Sequence, residues 1–458
     1  MTQHPEDSIK ALDRGLSLVY RARPWLIALD VLQGASAVVE RLAAWGAPPP
    51  FVIAARVGTG PAPACEHRVL GLPPMPMMEA IHAGEEALRS LPADVRSAIE
   101  AFDPDKRAAV LGGIVSDGRP VAQRPFFGAR PLSWRRLEDK VVIDALWDAV
   151  GLERAPSEVV EVELTALSEA AQRLDLGQGT VWAGDASQGF HGGASYTVAV
   201  RTPTEGRAAV ARLAPRCRTA RVMPFLEGVP CSIHGIVFPE HVVVLRPAEL
   251  LVFQGSGGFV YGRAATFWDP PQQDRDAMRS AARRVGDHLR GAVGYRGAFT
   301  LDGICTPSEG FLPTELNPRV GAALGLMCPE VPFDLLHAAL IEGCALDLDP
   351  VALEAALLQR ADAARHGSVG FLIDVSLQVT EHHPLVWRGA PGAGAWERVS
   401  GGDEADATAT IGPGPSGGYC RLSLDPVRTP VGPRVAPRAI AFARWLDRRY
   451  DAGLGELR

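Results

Sequence analysis

Four polar residues in the second half of the sequence have the types and the spacing needed for phosphoryl-transfer chemistry. Asp302 ends one predicted strand, and Glu315 and Asn317 lie two apart on the next. Side chains two apart on a strand point to the same face, and the short connection lets the strands pair, so we expect Asp302 beside Glu315. Two carboxylates and an amide oxygen suit Mg²⁺ that is also bound by nucleotide phosphates. Arg319, two residues further on, would neutralise charge on a transferring phosphoryl group.

The same four residues also have a purely structural explanation. A polar, solvated strand face followed by a surface arginine would contain residues of these types without any chemistry. Each residue taken alone fits that explanation better. The combination of four specified types at fixed spacings favours the chemical interpretation.

Residues 134–343 resemble the ATP-grasp superfamily in three respects. These are the spacing of Asp302 and Glu315, the run Glu315-x-Asn317-x-Arg319 and the order of the predicted elements. Its members make an acyl phosphate from a carboxylate and ATP, which an amine or another nucleophile then attacks. The resemblance implies that Asp302, Glu315 and Asn317 hold two Mg²⁺ ions, with Glu315 bridging them. It also implies that Arg319 lies on the γ-phosphate or the acyl phosphate.

Lys140 is the candidate for a contact to the ATP phosphates. It ends the run Glu138-Asp139-Lys140 in a helical pattern over residues 134–152, and this segment resembles the one with which the ATP-grasp fold begins. The chain has three lysines among 46 basic residues, and none follows Lys140. A lysine on an amphipathic helix is otherwise an ordinary solvated charge.

A glycine-rich segment lies between two predicted strands, residues 180–183 and 196–200. Its glycines allow backbone N–H groups to approach phosphate, and the loop would close over ATP; a hairpin with a long turn is the alternative. ATP-grasp members usually place a phosphate-binding lysine on the strand that leads into this loop, but this chain has Trp182-Ala183-Gly184 there. Loop amides, a histidine or an arginine must therefore substitute. The loop residues expected to contact nucleotide are Ser187, Gly189, His191, Gly192 and Gly193.

Residues 223–232 resemble the hinge that holds adenine in the same superfamily. Backbone groups around Phe225 and Leu226 would pair with the adenine edge, and apolar side chains such as Met223 would sandwich the ring. Glu227 lies near the position of a ribose-binding carboxylate. A strand–turn–strand without a ligand is the alternative.

Arg263 follows a glycine-rich run, residues 255–262, and is a candidate to hold a substrate carboxylate through two parallel hydrogen bonds. A turn with a solvent-facing arginine explains the same pattern.

Composition excludes several classes of function. With 46 basic and 53 acidic residues the net charge is −7, which argues against a nucleic-acid partner. No apolar run approaches the roughly 18 residues of a membrane helix, and the N-terminus resembles no signal peptide. The seven cysteines are odd in number and scattered, as is typical of reduced thiols. We therefore expect a cytoplasmic protein without a membrane or nucleic-acid partner.

The predicted elements indicate an α+β protein with antiparallel strands. An α/β domain would occupy residues 1–133. An ATP-grasp domain, with two α+β subdomains that grip ATP, would occupy residues 134–345. A small C-terminal module would occupy residues 346–458. The resemblance implies an enzyme that uses ATP and two Mg²⁺ ions to join a small carboxylate donor to an amine acceptor, such as an amino acid or a peptide. The loop sequence and domain order look most like the pheganomycin-type peptide ligases of natural-product pathways. A degenerate nucleotide-binding protein without catalysis is the alternative, and both a monomer and a homodimer stay open.

Overall fold

The protein is described here from a computed structural model that covers residues 5–112, 118–189, 192, 194–255, 258–390, 393–401 and 404–458. His191 and Gly193 of the glycine-rich segment lie outside the described residues, so their expected contacts with nucleotide stay predictions.

The first part of the chain forms a parallel sheet with helices on both faces, in the strand order β3-β2-β1-β4. Its elements are α1 (Pro5–Tyr20), β1 (Trp25–Val31), α2 (Ser36–Ala44), β2 (Phe51–Arg56), β3 (His67–Val69), α3 (Met77–Arg89), α4 (Ala93–Phe102) and β4 (Ala109–Leu111). Ile27 and Val52 pack with α1 and α2 on one face, whereas Leu26 and Phe51 pack with α4 on the other. Because both faces are covered, successive residues of β1 and β2 are apolar.

The next part forms a second, antiparallel sheet in the order β5-β8-β6-β7, with α7 and α8 against it. Its elements are α5 (Leu132–Arg135), α6 (Ile143–Ala149), β5 (Glu158–Glu161), α7 (Leu164–Leu174), β6 (Thr180–Gly184), β7 (Thr197–Val200), α8 (Pro203–Leu213) and β8 (Thr219–Pro224). β6 pairs with β7 along Thr180–Ala183, so the glycine-rich segment connects two adjacent strands as predicted.

The largest sheet has the strand order β13-β12-β9-β10-β11-β14-β18-β17-β15-β16, and all its pairs are antiparallel. Its first half comes from β9 (Val229–Val237), β10 (Val242–Gly255), β11 (Gly258–Ala265), β12 (Gly297–Thr306) and β13 (Gly310–Asn317), with helices α9 (Gln272–Ala292), α10 (Leu324–Met327) and α11 (Phe333–Ile341). The amphipathic helix α9 buries Met278, Val285 and Leu289 against Phe299 and Leu301 of β12. This packing fixes the strand that carries Asp302.

The last part of the chain continues the same sheet. Its elements are α12 (Pro350–Ala363), β14 (Gly367–Ile373), β15 (Glu381–Ala390), β16 (Ala393–Arg398), β17 (Ala407–Gly414), β18 (Gly417–Leu424) and α13 (Ala436–Tyr450). β14 pairs with β11, with Arg263 opposite Val369. The predicted C-terminal module is thus joined to the central sheet edge to edge, while the domain boundaries themselves stay predictions. No helix within the described ranges is long and apolar enough to cross a membrane.

The single helix predicted over residues 134–152 is wrong. α5 ends at Arg135, a 3₁₀ turn covers Arg136–Glu138, Asp139 is extended, and α6 begins at Ile143. The Asp139 carboxylate accepts a hydrogen bond from the N–H of Val141, 3.2 Å away, which competes with helical hydrogen bonding. The break turns Glu138 and Lys140 into the interior, where both are more than nine-tenths buried.

Candidate active site

The hairpin of β12 and β13 places the predicted metal ligands together. Asp302 is directly opposite Glu315, and Thr300 is opposite Asn317. The Asn317 amide donates to Asp302 Oδ2 at 2.8 Å. The alternation and the pairing predicted from the spacing are therefore both present, and the three oxygen-bearing side chains line one cavity.

The electrostatics of this hairpin suit a divalent cation. Burial and the nearby Glu315 carboxylate raise the pKa of Asp302 well above its usual range, while Arg319 and Lys140 oppose the rise. Asp302 Oδ1 is buried without a hydrogen-bond partner in the described part of the chain. A cation would both bind that oxygen and relieve the repulsion between the carboxylates. No group of three or more His, Cys, Asp and Glu side chains that could hold a metal ion lies among the described residues. The candidate set here consists of two carboxylates and one amide.

Arg319 lies beside the predicted metal ligands, although it follows the end of β13. β13 ends at Asn317, and the chain turns there. The guanidinium returns to donate to Asn317 Oδ1 at 2.7 Å and lies 3.3 Å from Glu138 Oε2. Glu138 also forms a buried ion pair with Arg130. This chain of charges holds Arg319 at the edge of the β12–β13 hairpin.

Lys140 contacts a predicted metal ligand directly. Its Nζ lies 3.0 Å from Glu315 Oε1, and its side chain is 8% exposed. The sequence motif predicts a phosphate contact here, and the structure places the ammonium group against the carboxylate that would bind the metal.

The glycine-rich segment is anchored by a buried aspartate. Asp185 Oδ1 accepts hydrogen bonds from the N–H and hydroxyl of Ser187, at 3.0 and 2.5 Å, and its Oδ2 accepts from the N–H of Thr219 at 2.7 Å. Ser187 and Gly189 therefore belong to the anchored base of the loop and do not line the cavity, whereas Gly192 does. The N–H of Gly192 points at the Met78 sulfur, 3.2 Å away.

The predicted adenine hinge connects β8 to β9 at the other end of the cavity. The N–H of Phe225 donates to the carbonyl oxygen of Gly179 at 2.9 Å, so this group is already used. The carbonyl of Phe225 and the backbone of Leu226 are left for an adenine edge. The Arg201 guanidinium lies 4.8 Å from the Phe225 ring centre, which supports one side of the hinge.

Arg263 enters the cavity from β11. Its Nη1 donates to the Tyr419 hydroxyl at 2.5 Å. Tyr261, two residues earlier, also lines the cavity. Desolvation raises the pKa of Tyr261 to about 12. The charge of Asp302 adds to this rise, and the charges of Arg263 and Arg319 oppose it. Tyr261 therefore lies in the same cavity as Asp302 and Arg263.

One cavity of about 1170 Å³ joins these elements. The predicted residues that line it are Lys140, Gly192, Met223, Phe225, Leu226, Glu227, Arg263, Asp302, Glu315, Asn317 and Arg319. Such a volume lies slightly above the range of about 300–1,000 Å³ that is typical of sites for small molecules. The cavity is large enough for a nucleotide and a further small substrate.

Several cavity residues are absent from the sequence-based predictions. Arg221 on β8 lies opposite Ala183 of β6 and pairs with Asp144, 2.7 Å from its Nη2. Its position two residues before Met223 on a strand could have indicated the shared face. Asp334 of α11 and Met78 of α3 also line the cavity. No local pattern marks these two residues, because distant elements bring them to the site.

No protein-family model matches the sequence, and no curated protein is significantly similar to it. Solved structures do match. The L-amino acid ligase of Bacillus licheniformis superposes with a TM-score of 0.52 at 14% identity, covering 93% of this chain and 98% of that one. The biotin carboxylase domain of Hydrogenobacter thermophilus 2-oxoglutarate carboxylase, solved as a dimer with MgADP and bicarbonate, gives 0.53 at 11% identity, covering 95% and 90%.

A third similar structure is carboxyaminoimidazole ribonucleotide synthase from Aspergillus clavatus, solved with ATP. It gives a TM-score of 0.50 at 13% identity, covering 94% of this chain and 99% of that one. At these identities the likeness concerns the fold. Together with the two antiparallel sheets that enclose the cavity, it shows that the chain has the ATP-grasp fold.

Proposed function

We propose that the protein is an ATP-dependent carboxylate–amine ligase. The observation that supports this most directly is the pairing of Asp302 with Glu315, beside Asn317 and Arg319, in the wall of a cavity that also contains the hinge at Phe225. A binder of nucleotide alone would not require this complete set of oxygen ligands and a neighbouring arginine.

Asp302, Glu315 and Asn317 fit Mg²⁺ by their donor chemistry, and the unpartnered buried oxygen of Asp302 supports the assignment. We expect them to hold two ions together with ATP phosphates. Bound Mg²⁺ would neutralise phosphate charge and orient the γ-phosphoryl group for in-line attack. Arg319, fixed by Glu138 and Asn317, would stabilise the same charge from the protein side.

The remaining ATP contacts follow the cavity from the hinge to the hairpin. Adenine would lie at Phe225 and Leu226, with Met223 against the ring and Glu227 near the ribose. Lys140 and the backbone of Gly192 would meet the phosphates.

Arg221 is our candidate for the cation that replaces the expected lysine of the loop strand. It lies directly across from Ala183, and both residues line the cavity. A guanidinium on the neighbouring strand would then do what a lysine on β6 does in similar enzymes.

The proposed reaction has two bond-forming steps. A carboxylate oxygen of the first substrate attacks the γ-phosphorus of ATP, the bond to the β-phosphate oxygen breaks, and ADP leaves. The nitrogen of an amine then attacks the carbonyl carbon of the acyl phosphate, phosphate leaves, and the nitrogen loses a proton. In the proposed reaction the cavity would hold the reactants together and limit the access of water that would hydrolyse the acyl phosphate.

We propose an amino acid or a related acid as the carboxylate donor and an amino acid or a peptide as the amine acceptor. The likeness to an L-amino acid ligase and the glycine-rich loop sequence support this choice. Peptide natural-product biosynthesis would be the setting, and the resemblance to pheganomycin-type ligases supports it.

The test is ADP release in the presence of MgATP and pairs drawn from the twenty amino acids and a set of dipeptides, with products identified by mass spectrometry. Glu315→Gln should abolish turnover, because it removes one metal carboxylate. Glu309→Gln is the matched control, since Glu309 is exposed in the turn of the same hairpin. Mg²⁺-dependent ATP binding without ADP release for any pair would support a non-catalytic nucleotide-binding protein instead.

A further inference from the structure

We propose that Arg263, held by Tyr419 across Gly370, binds a substrate carboxylate other than the one that is activated at the metal site. The inference rests on the proposed ligase function and deepens it, because it names a chemical group that one of the substrates must carry. It also assigns a positioning residue, Tyr419, to the C-terminal part of the chain.

The backbone at Arg263 is held in an uncommon conformation. Its φ is +78°, a value in the left-handed region that few residues other than glycine adopt. β10, which pairs with β11 here, shifts register between Leu250 and Val252. Strained backbone of this kind persists where surrounding structure enforces it, and it is concentrated at ligand-binding and catalytic sites.

The arginine side chain lies across the neighbouring strand. A Cβ atom on Gly370 of β14 would lie 2.6 Å from Arg263 Cδ, so the absence of a side chain at Gly370 makes room for the arginine. The guanidinium then reaches Tyr419 on β18, the next strand of the sheet, at 2.5 Å. A bent backbone, a glycine and a tyrosine on three adjacent strands thus fix one guanidinium.

No carboxylate pairs with Arg263 among the described residues, whereas three other arginines of the cavity each have one. Arg221 pairs with Asp144, Arg319 with Glu138, and Arg434 with Glu249. In the described ranges Arg263 has no carboxylate within ion-pair distance, and its bond to a neutral hydroxyl uses one Nη. The other donors of the guanidinium are available for a carboxylate, which it binds best through two parallel hydrogen bonds.

The position of Arg263 separates it from the reacting centre. β9 and β10 lie between β11 and β12, the strand of Asp302, and the Arg263 side chain runs towards β18, away from β12. Arg319 already occupies the edge of the metal-binding hairpin. Since both arginines line one cavity, a substrate can place its reacting carbon at the hairpin while a second, non-reacting carboxylate lies at Arg263.

Two substrates could supply such a carboxylate. It is the α-carboxylate of an amino-acid acceptor, or the side-chain carboxylate of a dicarboxylic donor. The experiment therefore has two arms, each of which compares the rate of ADP release with an acid and with its amide. The first arm compares the best acceptor of the ADP-release panel with its C-terminal amide. The second arm compares L-aspartate with L-asparagine, and L-glutamate with L-glutamine, as donors. The arm in which the wild-type protein prefers the acid identifies the source.

In that arm Tyr419→Phe should raise the KM of the acid substrate about tenfold. The kcat, the KM for ATP and the KM for the amide should change less than twofold. Arg263→Gln should abolish the preference for the acid altogether, and Gly370→Ala should act in the same direction as Tyr419→Phe. The control is Tyr450→Phe, which removes a hydroxyl bonded to Glu381 on the far side of the same module and should change none of these values.

Equal use of acid and amide by the wild-type protein in both arms would overturn the inference while the ligase function stands. An unchanged acid preference in both Tyr419→Phe and Gly370→Ala would overturn the positioning role. If no pair releases ADP, the ligase function is refuted. Calorimetric titration of the MgADP-bound protein with the twenty amino acids and their amides then tests separately whether Arg263 binds a carboxylate. Tighter binding of acids that is lost in Arg263→Gln would support the site, and equal binding of acids and amides would refute it.

Discussion

Replacing Lys140 by methionine should change the affinities for Mg²⁺ and for ATP in opposite directions. The lysine ammonium lies 3.0 Å from Glu315 Oε1, so it competes with a metal cation for that carboxylate. The same ammonium is the proposed partner of an ATP phosphate. Methionine has a similar length and no charge, and so it removes both effects while filling the same space.

The size of each change follows from the geometry. Coulomb's law gives about 1.4 kcal/mol for unit charges at 3.0 Å in a water-like medium and about 5.5 kcal/mol at the effective dielectric constant of a protein surface. With side chains 8% and 26% exposed, the pair lies between these limits. Mg²⁺ should therefore bind at least about tenfold more tightly to the variant without nucleotide. Loss of a charged hydrogen bond of about 1.5–3 kcal/mol should weaken ATP binding by about 10-fold to 150-fold.

Isothermal titration calorimetry measures both affinities, first with MgCl₂ alone and then with a non-hydrolysable ATP analogue at saturating Mg²⁺. Lys106→Met is the matched control, because Lys106 is exposed and donates to Gln123 at 2.6 Å, in the N-terminal part of the chain. It should leave both affinities unchanged. Weaker Mg²⁺ binding in Lys140→Met, or ATP binding equal to that of the wild type, would show that the lysine does not have the dual role inferred here.

Two further predictions concern the interior of the cavity. Arg221→Gln should raise the KM for ATP at least tenfold without changing inhibition by AMP. The control is Arg218→Gln, since Arg218 is exposed. An equal loss of ATP and AMP affinity would refute a contact between Arg221 and the terminal phosphates. Burial lowers the pKa of His234 to about 3, so the unfolded chain takes up a proton near pH 6.5 that the folded chain does not. As the pH is lowered below that value, the free energy of unfolding should therefore decrease by up to about 1.4 kcal/mol per pH unit. Urea titrations at several pH values should show a weaker pH dependence of this free energy for His234→Gln.

The local pattern of the sequence was sufficient to predict the β12–β13 hairpin that carries the candidate metal ligands. Strand alternation put Glu315 and Asn317 on one face, and the short connection between the strands fixed the pairing with Asp302. The connection between β8 and β9 and the paired strands around the glycine-rich segment were predictable for the same reason. Each depends on residues that are near in sequence, where hydrophobic periodicity and turn residues determine the structure.

The same local pattern failed where a side chain has a distant partner. Residues 134–152 have the apolar periodicity of a helix, but the helix is interrupted. The interruption lets Glu138 pair with Arg130 and Arg319, and it lets Lys140 pair with Glu315. The free energy of burying and pairing these charges depends on residues up to 181 positions away, which a local window does not contain.

What the sequence by itself determined is thus the set of reactive groups and the class of fold. The tertiary structure decided which residues the arginines of the cavity meet. Arg221 lies opposite Ala183 only because β6 and β8 pair, and Arg263 meets Tyr419, 156 residues later, only because β14 joins β11. Strand order in a sheet is set by the packing of whole elements and the closure of long loops. For that reason Gly370 and Tyr419, which position the arginine named from the sequence, could be identified only from the assembled sheet.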